Sequence, residues 1–231
     1  MLLLKQALLQ LKNPDRAILM ARYFKTGKGE YAEGDIFIGL SNPQVHELVK
    51  TYWKSIKDAE IQELIDDQIH ELRLAGLLVL VAQFAKASSS RQQEIVAFYL
   101  KNVQQINNWD LVDSSCYKIL GKFLLDKDRQ ILYDLAASGH LWSERIAVVS
   151  TLAFIKNGQF SDIFQLAERF ISHPHDLMHK ACGWMLREVG KKDELALDEF
   201  LNEHYAKMPR TMLRYAIEKM DENKRLGYLR Q

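Results

Sequence analysis

From Pro43 onward, apolar residues recur three and four positions apart in one short segment after another. The segments lie near 43–55, 58–70, 71–86, 91–104, 109–124, 127–137, 141–156, 161–171, 176–190, 193–206 and 209–220, with short polar breaks between them. This spacing is that of amphipathic helices, and none of them is long enough to be stable unless its apolar face is covered by a neighbour. The four prolines agree with this reading. Asn13-Pro14, Asn42-Pro43, His173-Pro174 and Met208-Pro209 each precede such a segment, where proline is tolerated and asparagine caps well. With 11 Gly and 4 Pro in 231 residues, the chain has too few turn residues for an all-β protein. An all-α protein is expected.

The segments also repeat weakly. Glu71-Leu-Arg-Leu-Ala-Gly-Leu-Leu-Val-Leu, Ser143-Glu-Arg-Ile-Ala-Val-Val-Ser-Thr-Leu and His179-Lys-Ala-Cys-Gly-Trp-Met-Leu each set charged residues ahead of a small residue and an apolar ridge. Their spacing points to paired helices with a period of roughly 35 to 40 residues, the pattern of a HEAT-like α-solenoid with a concave wall. An irregular helical bundle is the alternative. One stretch interrupts the helices: Tyr23 to Leu40 carries four glycines between Gly27 and Gly39 and reads as an extended loop.

Charge excludes some functions. Thirty-one Lys and Arg against 30 Asp and Glu give +1, so any charged partner must be met by a local patch. Two cysteines, Cys116 and Cys182, cannot form a disulfide framework, and the longest apolar-rich stretch, Leu74 to Ala85, falls short of a membrane span. A cytoplasmic protein is expected. Gly27-Lys28-Gly29 lacks the spacing of a phosphate-binding loop. His175 and His179 stand four apart without the glutamate of a zinc-protease helix, and no nucleophile elbow occurs. No metal is expected.

The residues that stand out are aromatic and charged pairs at helical spacing. Trp109 and Asp113 share a helix face, as do Trp142 with Arg145 and Trp184 with Arg187. If equivalent faces line one wall, Trp109, Asp113, Arg145 and Trp184 converge there. From Lys207 to Gln231 the local charge is +4, and from Lys57 to Glu71 it is −5. A wall carrying Arg145, Lys180, Arg187, Arg210 and Arg214 is suited to tracking a phosphate backbone.

Four stretches carry a family resemblance: Met20-Ala-Arg-Tyr-Phe-Lys, Trp109-Asp-Leu-Val-Asp113, Trp142-Ser-Glu-Arg145 and Lys180-Ala-Cys-Gly-Trp-Met-Leu-Arg-Glu188. Together they resemble the AlkD-type DNA alkylpurine glycosylases, alkylation-repair enzymes built of HEAT-like repeats, and the resemblance spans nearly the whole chain as a single domain. It implies a monomer that excises N3- and N7-alkylated purines from double-stranded DNA without metal or nucleotide cofactor. It further implies that Asp113 is the catalytic carboxylate, that Trp109 and Trp184 surround the sugar of the lesion, and that Arg145 lies near the DNA backbone. The segment Thr26 to Asp35 departs from the family by its length and glycine content. The competing reading is a non-catalytic helical-repeat module that binds DNA or protein; a carboxylate between two indoles on a basic wall is what separates the two.

Overall fold

In the computed structural model, which describes residues 3–230, helices take up most of the chain. Contacts divide it into two compact units, one up to Ser115 and one from Cys116 on. The first contains α1 (Leu3–Gln10), α2 (Pro14–Tyr23), α3 (Asn42–Tyr52), α4 (Asp58–Ile65), α5 (His70–Phe84), α6 (Ser89–Lys101) and all but the last residue of α7 (Trp109–Cys116). Asn13 caps α2 as its sequence suggests, accepting the Arg16 N–H at 3.0 Å, with Pro14 opening the helix. At α3 the cap is Ser41 rather than Asn42, in a reciprocal capping box with Gln44. The core of this unit is α5, which packs against α3 and α4 and buries all but a few of its residues.

No strand forms among the described residues. Between α2 and α3 the chain runs as turns, and only an isolated bridge pairs Ile36 with Ile69. Lys25, Gly29, Gly34 and Gly39 have positive φ in this loop. At Gly39 the requirement is absolute: φ is +86°, and a Cβ would overlap the Asn13 carbonyl oxygen at the start of α2.

The second unit contains α8 (Gln130–Ala136), α9 (Leu141–Ser150), α10 (Leu152–Ile155), α11 (Ser161–Arg169), α12 (Asp176–Gly190), α13 (Glu194–His204), α14 (Arg210–Ala216) and α15 (Glu222–Arg230). Its first residues after Cys116, Tyr117–Gly121, form a π-helical stretch. His175, the residue directly before α12, is the cap here, so Pro174 lies outside the helix rather than in its first turn. Helix α12 is central and crosses α14 closely at Gly183, where a Cβ would come within 2.6 Å of the Tyr215 Cβ. The helix α15 falls beyond the last segment that periodicity marks, because Glu222 to Arg230 is too polar to show an apolar period.

The repeated segments fall on α5, α9 and α12. On α5 and α9 the charged residues do not point outward. Glu71 (1% exposed), Arg73 (4%), Glu144 (7%) and Arg145 (4%) are buried and bonded. Arg73 donates to the carbonyls of Asp67 and Gln68 and to Asn107, while Arg145 donates to the Leu177 carbonyl at 2.6 Å. Glu144 pairs with His173 at 3.0 Å. Glu144 and Arg145 at the start of α9 thus tie that helix to the chain entering α12.

Candidate functional site

Helix α7 starts where the sequence places it. Asn108 is wholly buried and its side-chain oxygen accepts the Trp109 N–H at 2.8 Å; Asp110 accepts the N–H of Leu111 at 2.9 Å. These bonds satisfy donors that a helix start leaves open. The apolar side of the helix, Leu111 and Val112, is fully buried. Trp109 and Asp113 are half-buried and one turn apart on the side that is left.

Trp109 is held by other rings. Phe24 stacks on it at 5.2 Å and 11°, and Tyr23 meets it edge-on at 6.1 Å. Phe37 stacks on Phe24 at 4.9 Å and on His70 at 4.5 Å. The indole N–H of Trp109 donates to the Tyr31 hydroxyl; burial raises the Tyr31 pKa and this bond partly offsets it. Tyr23 is 67% exposed, so the cluster opens to solvent on that side. Aromatic pairs of this kind contribute about 0.5–1.5 kcal/mol beyond their buried area. One face of the indole is therefore committed to Phe24.

Behind the rings lies a charged cluster that periodicity does not reveal. Asp35, from the end of the glycine-rich loop, accepts from Arg73 at 2.6 Å, from Asn107 at 3.1 Å and from His70 Nδ1 at 3.1 Å. His70 Nε2 meets Asp110 at 2.9 Å. Burial would raise the Asp35 pKa, but the hydrogen bond from His70 and the Arg73 charge outweigh it and lower it. The adjacent Glu71 accepts the backbone N–H groups of Ile38, Gly39 and Leu40. Three neighbouring positions of α5, 70, 71 and 73, thus hold the loop; the signal available in the sequence is a charged run directly before a long apolar ridge.

In the second unit, Lys180, Trp184 and Arg187 lie on α12 and Arg210 and Arg214 on α14. Trp184 is half-buried beside the close crossing at Gly183. Arg210 and Arg214 are exposed, whereas Lys180 pairs with Asp176 at 2.8 Å and Arg187 with Glu218. Arg145 is buried. Its guanidinium is directed into the unit toward the start of α12, because a buried arginine must find its acceptors inside. The residues expected to converge are divided between the units, with Trp109 and Asp113 on one and Arg145, Lys180, Trp184, Arg187, Arg210 and Arg214 on the other.

Among the described residues no group of three or more His, Cys, Asp or Glu is arranged to hold a metal ion, and no helix is long and apolar enough to cross a membrane. Cys182 is wholly buried, and burial pushes its thiol up to about 12. It offers no nucleophile.

The family model of the DNA alkylation repair enzymes matches residues 4–220, and the chain belongs to that family. A solved structure described as "Predicted DNA alkylation repair enzyme from Enterococcus faecalis" shares the fold, with a TM-score of 0.69 at 18% identity over 91% of this chain and 97% of that one. No curated protein matches the sequence.

Proposed function

We propose that the protein is a DNA glycosylase that releases cationic N3- or N7-alkylated purines from double-stranded DNA. The observation that carries the reading is the pair on α7: a half-buried Asp113 one turn from a Trp109 whose ring is fixed by Phe24 and Tyr31. Alkylation makes the purine cationic, so the base leaves with the glycosidic electron pair and needs no proton. The positive charge then passes to the sugar, which acquires oxocarbenium character. The Asp113 carboxylate stabilises that charge and takes a proton from the water whose oxygen bonds to the anomeric carbon. The indole of Trp109 adds about 0.5–2 kcal/mol against the same cation. Arg210 and Arg214, with Lys180 and Arg187 once released from their carboxylate partners, are the candidates for phosphate contacts. Arg145 donates to the Leu177 carbonyl at the start of α12.

Methylated duplex DNA with chromatography of the released bases tests this. At about 4 Å and an effective dielectric of about 20, a carboxylate–oxocarbenium attraction is worth about 4 kcal/mol. Asp113→Asn should therefore slow single-turnover release of 7-methylguanine about 10²- to 10³-fold while duplex binding persists. An unchanged rate removes Asp113 from the reaction. Binding without release by the parent protein favours the non-catalytic module.

A further inference from the structure

His70 is 1% exposed and has a carboxylate oxygen at each ring nitrogen: Asp35 at 3.1 Å from Nδ1 and Asp110 at 2.9 Å from Nε2. A neutral imidazole has one N–H and can serve only one of them; the other carboxylate would face a lone pair at hydrogen-bonding distance. Both contacts are favourable only for the imidazolium. Burial pulls its pKa down, but the charge and hydrogen bond of Asp110, followed by those of Asp35, prevail and raise it to about 9. The Phe37 ring stacked on His70 favours the same cation. With Arg73 beside Asp35, two cations and two carboxylates are balanced in the cluster.

The two carboxylates belong to different segments. Asp35 closes the glycine-rich loop, and Asp110 is the second residue of α7, between Trp109 and the turn that carries Asp113. The same loop reaches Trp109 again through Tyr31. We infer that the Asp35–His70–Asp110 chain is a positioning device through which the glycine-rich loop fixes the first turn of α7 and so aims Trp109 and Asp113. The geometry stands by itself; its effect on rate rests on the glycosylase reading. His70 is a positioning residue, since nothing in this role brings it to the substrate. Its leverage is large because a misplacement of about 1 Å in a reacting group costs about 10²-fold in rate.

Two variants separate positioning from plain stability. His70→Gln leaves two buried carboxylates against one cation and should melt well below the parent. His70→Gln with Asp110→Asn restores equal charge, so its melting temperature should largely recover. The link itself is still broken in both. Single-turnover excision is expected to fall about tenfold or more in both variants, with duplex affinity within about twofold of the parent. Recovery of the rate together with the melting temperature in the double variant overturns the inference. If the parent releases no base, the glycosylase reading fails on its own, and the indole N–H resonance of Trp109 decides this one. That proton should be protected from exchange in the parent and lose protection in the double variant; an unchanged resonance and exchange rate there refutes the positioning role.

Discussion

Replacing Glu71 by alanine removes one carboxylate and leaves three backbone donors without an acceptor. Its oxygens accept from Ile38 at 3.1 Å, Gly39 at 2.8 Å and Leu40 at 3.1 Å, and the residue is 1% exposed. Gly39 and Leu40 are buried, so water cannot replace the lost acceptor; Ile38 is half-buried and can be partly rehydrated. A hydrogen bond to a charged group contributes about 1.5–3 kcal/mol, so losing the two buried ones costs about 4 kcal/mol. That is a large share of the roughly 5–15 kcal/mol by which a domain is stable. Glu71→Gln keeps one acceptor oxygen but loses the charge, and should cost about half as much. In urea, with a slope of about 2 kcal/mol per molar, the alanine variant should unfold about 2 M earlier. The amides of residues 38–40 should also lose their protection against hydrogen exchange. A midpoint shift under about 0.5 M with those amides still protected would mean that the carboxylate does not hold the loop.

Two further expectations are simpler. A histidine whose folded pKa is raised contributes stability that is complete below its ordinary value of 6.5 and is lost as the pH climbs through about 9. The parent should therefore lose more melting temperature between those values than the His70→Gln, Asp110→Asn double variant, and parallel curves would show that His70 is not charged; Asp35, Asp110 and Arg73 are the ionisable groups bonded to it or to its partner. Gly183→Ala would press a methyl to within 2.6 Å of the Tyr215 Cβ and still closer to the Met212 carbonyl oxygen, where α12 crosses α14. Overpacking of this kind costs about 1–3 kcal/mol, and a calorimetric melting temperature equal to the parent's would disprove the close crossing.

The helices were legible because an apolar face leaves its period in the sequence, and Asn13-Pro14 marks the start of α2 by its local chemistry alone. The Trp109 and Asp113 pair was legible for the same reason, since four residues separate neighbours on a helix face. What the period cannot carry is the direction in which a charged residue at the edge of the apolar face points. Arg145 reads equally well as solvated or as a strut, and only the position of Leu177 decides between them. His70 is a lone histidine until Asp35, 35 positions before it, and Asp110, 40 positions after it, are seen on its two nitrogens. The glycine-rich loop shows its turns in the sequence but not its anchors, because Glu71 and Asp35 do their bonding across long separations.

The inward charges also change what a polyanion meets. Asp35, Glu71, Asp110, Glu144 and Asp162 have their carboxylates inside, whereas Arg73 and Arg145 are the only fully buried cations of the Lys and Arg type among the described residues. Each of those acids is already matched by a backbone amide, an imidazole or a guanidinium. With screening over roughly 8 Å in physiological salt, an approaching phosphate senses mainly the outermost layer. That layer has given up more negative groups than positive ones, so the skin of this protein is more cationic than its near-zero bulk titration suggests, and its retention on a cation exchanger should exceed what the isoelectric point alone would give.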